Sequence, residues 1–120
     1  MGVTKVTVAV RDLARTKKGF EDTFLVDTGA IDCMAPASRL KKAGIRAEGK
    51  DVYELANGQT VEYRYGFARI LFMGSETIVR MIFGPEDVEP ILGVVALEDV
   101  GITVDPVSRA LKKMPAKPLK

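Results

Sequence analysis

No histidine occurs in the 120 residues, and there is a single cysteine. The first absence removes Ser-His-Asp and Cys-His nucleophilic machinery. Taken together, the two shortages leave too few nitrogen and sulfur ligands for an ordinary zinc site within one chain. Cys33 has no partner for an internal disulfide, and a small buried apolar residue is the role expected of it. There is no GxxxxGK[ST] and no GxGxxG, so no phosphate-cradling loop is indicated. No apolar run approaches the ~18 residues of a membrane span. The opening "MGVTKVTVAV" lacks the basic-then-apolar layout of a signal peptide, and Val6 breaks the myristoylation pattern. Eighteen Lys and Arg against sixteen Asp and Glu leave a net charge of +2, too little to imply a nucleic-acid partner. The expectation is a cytoplasmic protein with no nucleic-acid or membrane partner and no metal or organic cofactor. If it is an enzyme, carboxylate chemistry is the main class left.

Apolar content of 47% and charged content of 28% suit a globular protein. The length fits one domain spanning 1–120, with a basic tail over about 112–120 read as solvated. Short strands dominate the periodicity. "VTKVTVAVR" alternates, with Val6, Val8 and Val10 on one face, and "FEDTFLVDTG" is extended until Gly29. "APASRLKKAG" reads as a short helix, with Pro36 near its first turn and Gly44 as C-cap. "VYELANGQTVEYRYG" reads as a hairpin with a type I′ turn at Asn57-Gly58. A second hairpin, "FARILFMGSETIVRMIF", turns near Gly74-Ser75. In "PILGVVALEDVG", Val94, Leu97 and Val100 lie at helical spacing before Gly101. "ITVDP" is a last strand. The sum is about seven strands and one or two short helices.

The informative stretch is "FLVDTGA". An apolar strand ends there in a carboxylate, which is costly to bury unpaired. Two carboxyls held close together share a proton, and one then serves as general base while the other serves as general acid toward water. Asp27 suits that role. Thr28 offers a hydroxyl to lock the turn, Gly29 lets the main chain turn sharply, and Ala30 keeps the approach clear. An aspartate that merely ends a strand and accepts its own backbone N–H groups has the same local sequence. One chain carries one Asp-Thr-Gly: Asp99 falls in the expected helix and Asp105 precedes a proline, so a carboxylate pair needs a second copy.

"FLVDTGA" resembles the active-site motif of the retropepsins, the retroviral-type aspartic proteases. "ILG" at Ile91 to Gly93, leading into a helix, resembles that family's second half, and "LEDVGITVDP" resembles the ending of small bacterial and archaeal members. The segment "FLVDTG" is itself weakly echoed by "PILG". The resemblance covers roughly Val3 to Leu111. It implies a mainly β, closed β-barrel-like acid-protease fold with one or two short helices, acting as a homodimer on peptide or protein substrates. It implies an aspartic endopeptidase with Asp27 catalytic in each subunit and Thr28 bridging the two-fold axis. It also implies substrate contacts from Asp32, from Ile91, and from a flap tip formed by Ala56, Asn57, Gly58 and Gln59. The chain departs from the family at Ile31, where a polar residue usually follows the alanine. Tyr53, Tyr63 and Tyr65 alternate in the hairpin, as cross-strand packing requires. A dimeric peptide-binding module with little hydrolysis, and a small β-barrel for an unrelated ligand, remain alternatives.

Overall fold

The computed structural model describes residues 4–119. Six strands close a barrel in the order β1 (Lys5–Arg11), β2 (Phe20–Val26), β7 (Ile91–Leu92), β3 (Cys33–Pro36), β6 (Ser75–Gly84) and β5 (Thr60–Phe72). Closure comes from antiparallel pairing of β1 with β5, at Ala9 with Leu71 and Val10 with Ile70. The sheet's last strand, β4 (Gly49–Glu54), pairs only with the first half of β5 and projects beyond the barrel as a ribbon. Two short helices, α1 (Ala37–Lys42) and α2 (Val94–Asp99), complete the wall, and β8 (Ile102–Val104) pairs with β9 (Leu111–Lys113) as a separate hairpin.

Period-two patterning puts one face of each strand inside. Val8 and Val10 of β1, Ala68, Ile70 and Phe72 of β5, and Val79, Met81 and Phe83 of β6 are buried around Phe24 and Leu92. From Gly66 onward the even-numbered residues of β5 face the barrel interior, whereas Thr60, Glu62 and Arg64 before it are exposed. The odd-numbered Val61, Tyr63 and Tyr65, half-buried on the opposite face, serve the ribbon. One 13-residue strand therefore supplies both the ribbon and the wall. This corrects the expectation of two separate hairpins, since the chain runs through Gly66 without a break.

Three further expectations change. The turn joining β4 to β5 is not type I′, because Asn57 keeps a negative φ and only Gly58 is left-handed, at φ 86°. Gly58 N–H donates to Leu55 O, and Leu55 N–H donates to Gln59 O, which makes a three-residue loop with the glycine as its bulge. The turn with two left-handed residues is at Met73 (φ 51°) and Gly74 (φ 78°). Pro36, expected near the first turn of the helix, ends β3 and is the N-cap of α1, which starts at Ala37. The strands number nine among the described residues against about seven expected: two expected strands fuse into β5, and β3, β7 and β9 were hidden. Lys112 and Lys113, at the start of the tail read as solvated, belong with Leu111 to β9, and Met114 N–H donates to Gly101 O.

Both expected glycine caps are present. After α1, Gly44 N–H donates to Lys41 O and Ile45 N–H to Leu40 O, while the side chains of Leu40 and Ile45 are buried. After α2, Gly101 sits at φ 72° with its N–H on Glu98 O.

A carboxylate organises the loop after β1. Asp12 accepts from the hydroxyl and N–H of Thr16 and from the N–H of Lys17. These bonds, led by that from the Thr16 hydroxyl, hold its carboxyl down at about 2. Its folded value lies below its unfolded one, so its contribution is fully present above the ordinary carboxylate range and is lost as pH falls toward 2. Thermal unfolding of Asp12→Asn and the parent, followed from pH 7 to pH 2, should show a gap that is constant down to about pH 4.5 and narrows below it.

Candidate active site

Asp27 stands where β2 leaves the sheet. β2 and β7 run parallel, with Leu25 beside Ile91 and Val26 beside Leu92. The segments of the internal echo are thus neighbours in space. Leu25 N–H donates to Pro90 O and Asp27 N–H to Leu92 O, at 2.8 and 3.0 Å, so the catalytic candidate is clamped at its backbone. The chain then turns. Ala30 N–H donates to Asp27 O at 3.1 Å, and Gly29 N–H donates to Asp27 Oδ1 at 2.9 Å. Asp27 Oδ2 receives no hydrogen bond from the described residues. The side chain is half-buried, whereas Thr28 and Gly29 are exposed.

The carbonyls that follow satisfy α2. Its N-cap, Gly93, has no side chain to offer, yet the first N–H groups of a helix lack internal partners. Ala30 O accepts from Val94 N–H at 2.8 Å, and Ile31 O accepts from Val95 N–H at 3.3 Å. This lacing leaves no room at Gly93, where an added Cβ would lie 2.5 Å from Asp32 O and 2.6 Å from Ile31 O. Beneath it, Gly93 N–H meets Cys33 Sγ at 3.5 Å. Burial pushes the Cys33 thiol up to about 12, which fits an inert packing residue.

The structure brings Asp27, Thr28, Gly29 and Ala30 together with Ile91 through Gly93. Ile91 itself is half-buried between Leu25 and Met34. Asp32 is half-buried, and its Oδ2 accepts a hydrogen bond from the Tyr53 hydroxyl at 3.0 Å. Ile31 is 67% exposed. Ala56, Asn57, Gly58 and Gln59 form an exposed tip that bonds within itself: Asn57 Oδ1 accepts from Gln59 N–H, and Asn57 Nδ2 donates to Gln59 Oε1. Among the described residues, no hydrogen bond joins this tip to the turn at 27–30. Two contacts were not foreseen, that of the Tyr53 hydroxyl with Asp32 and that of Arg80 with the ribbon. Tyr53 packs across the ribbon on Tyr63, with ring centres 6.3 Å apart, but its hydroxyl also reaches Asp32. Arg80 pairs with Asp51 at 2.9 Å and lies 3.7 Å over the Tyr65 ring. Sequence spacing alone cannot show either contact, because each crosses between elements.

Thr28 borders an open depression of about 480 Å³ lined by Val94, Leu97, Ile102 and Val104 among others, on the side of α2 and the β8–β9 hairpin. Among the described residues, no three His, Cys, Asp or Glu side chains converge as a metal site. No helix among them is long and apolar enough to cross a membrane.

A family model described as aspartyl protease matches residues 5–95. The protease of equine infectious anaemia virus (EIAV), in a structure with the inhibitor HBY-793, matches with a TM-score of 0.63 at 19% identity, over 83% of this chain and 89% of the viral one. The simian foamy virus (mac) protease matches with a TM-score of 0.56 at 14% identity, over 78% of this chain and 91% of that one. No curated protein sequence matches.

Proposed function

The chain belongs to the aspartyl protease family with a retropepsin-like fold, and on that premise we propose that it is an endopeptidase whose catalytic pair is Asp27 from each of two identical subunits. The observation that carries this reading is the held geometry of Asp27. Its backbone is clamped by Leu92 and its Oδ1 by Gly29 N–H, while Oδ2 accepts no hydrogen bond from the described residues. Two such groups facing across a two-fold axis would share one proton. The ionised member takes a proton from water as its oxygen attacks the scissile carbonyl. The protonated member hydrogen-bonds the carbonyl oxygen, and the departing amide nitrogen leaves with a proton from the pair. Apparent pKa values then belong to the pair.

The dimer reading is supported by the depression beside exposed Thr28, where Val94 and Val104 stand with Glu98 and Arg109, and by the short β8–β9 hairpin next to it, which offers pairing edges to a second copy. Thr28 would cross the axis there. The ribbon ending in Ala56, Asn57, Gly58 and Gln59 would cover an extended peptide, with Asp32 and Ile91 in the groove. The same reading takes 1–120 as one domain. It places the dimer in the cytoplasm, where a lone buried Cys33 thiol has no call for a disulfide partner.

One observation favours a second reading, a dimeric peptide-binding module with little hydrolysis. Ile31, in place of a polar residue after Ala30, gives a substrate main chain no side-chain hydrogen bond there. Cleavage of an unfolded protein or a peptide library, with and without pepstatin, from mildly acidic to neutral pH, separates the two. Pepstatin-sensitive hydrolysis is expected. Peptide capture without any cleavage by a dimer would decide for the module.

A further inference from the structure

The β4–β5 ribbon touches the rest of the molecule through a short polar chain. On β4, Asp51 and Tyr53 share a face, two residues apart. The Tyr53 hydroxyl donates to Asp32 Oδ2 at 3.0 Å, and among the described residues this is the only hydrogen bond between the ribbon and the loop at 27–32. Asp51 Oδ2 accepts from Arg80 Nη1 on β6 at 2.9 Å. The Arg80 guanidinium is itself fixed over the Tyr65 ring and lies within electrostatic reach of the Tyr53 hydroxyl and Asp32. A cation beside a phenol oxygen makes its O–H a better donor, so the bond to Asp32 gains from Arg80. Desolvation raises the Tyr53 phenol above its usual value, so it stays protonated and able to donate.

The two bonds fasten one strand to two bodies. Asp32 belongs to the loop that carries Asp27, and Arg80 belongs to the barrel wall. We propose that Tyr53 and Arg80 are positioning residues: through Asp32 and Asp51 they latch the ribbon down toward the catalytic loop before a substrate arrives. A latched ribbon has part of its ordering already done, so the substrate meets a larger fraction of the competent state and binds with a lower apparent dissociation constant. The latch also gives Asp32 a task other than contact with substrate. The kinetic consequence rests on the protease reading above, but the latch itself does not.

Hydrogen exchange tests the latch without any need for activity. In an Asp27→Asn background, Tyr53→Phe keeps the ring pair with Tyr63 and removes only the hydroxyl. The amides of Lys50 to Glu54 should exchange at least about tenfold faster than in the parent, the factor set by losing one hydrogen bond to a charged group. Those of Phe20 to Val26 should be unchanged. Arg80→Gln should loosen the same segment. Unchanged exchange over 50–54 in both variants overturns the proposal. In the active chain, Tyr53→Phe should raise KM several-fold and leave kcat near the parent's; a fall in kcat at constant KM would contradict the latch. A parent without hydrolysis that still shows the exchange effect would sustain the latch and end the protease reading, so the two claims fail separately.

Discussion

An Asp27→Asn chain is expected to lose hydrolysis by about 10³-fold or more while keeping the parent's fold and dimer. The separation of the two properties follows from the site's construction. Asn retains an oxygen at the Oδ1 position, so the bond from Gly29 N–H survives, and the backbone bond from Asp27 N–H to Leu92 O is untouched. What disappears is the exchangeable proton and the charge. In a dimer both copies change together, so neither a general base nor a general acid remains. The loss should fall on kcat with the apparent affinity for peptide nearly preserved, because the groove and ribbon are unaltered. Size-exclusion chromatography and thermal unfolding of the variant are the controls. Cleavage at the parent's rate by Asp27→Asn would place the chemistry elsewhere in the chain.

Gly93→Ala is expected to have the next largest effect, although its side chain would touch no substrate. The glycine has an ordinary extended backbone, with φ −84° and ψ 170°, so the reason for it is space and not conformation. A methyl group there would overlap Asp32 O, Ile31 O and the Asp32 carbonyl carbon, at 2.5, 2.6 and 2.7 Å. All three are main-chain atoms and cannot rotate away. Forced overpacking of this kind costs about 1–3 kcal/mol. In a chain of this size that lowers Tm by several degrees, about 4–8 °C per kcal/mol at 60–100 residues and less above. The loop carrying Ile31 and Asp32 must move outward, and the turn at Asp27 moves with it through Ala30. A displacement near 1 Å in a catalytic group costs about 10²-fold in rate. Gly93→Ala should therefore be less active than its stability loss explains. An unchanged Tm with an unchanged rate would show that the loop yields freely, and that the lacing between 30–31 and 94–95 is not what holds Asp27.

The legible parts of this molecule were local. The alternation of Val6, Val8 and Val10, the glycines closing both helices, and the apolar approach to Asp27 each follow from a few neighbouring residues. The hidden parts depend on partners far along the chain. Cys33–Pro36 carries no alternation and only four residues, and it is a strand because β6 lies parallel on one side and Ile91 on the other. Leu111–Lys113 sits among lysines that read as a solvated tail, and it is a strand because β8 offers an edge. Asn57-Gly58 has the composition of one turn and adopts another, since three loop residues with one left-handed glycine also join two twisted strands. At the site, Asp27 and the Ile91–Gly93 segment could be singled out from sequence. That Gly93 is wedged under the carbonyls of Ile31 and Asp32, and that Tyr53 spans from the ribbon to Asp32, are facts of three-dimensional crossing with no local signal.

The account depends on a second copy completing a half-built acid pair. The most direct measurement is the distance between the two Asp27 carboxyl groups in a crystal of the protein grown with a peptide-like inhibitor. The account predicts a symmetric dimer with carboxyl oxygens about 3 Å apart, close enough to share a proton. A monomer carrying the inhibitor, or a dimer that keeps the two carboxyls apart by more than a hydrogen bond and an intervening water can span, would contradict it.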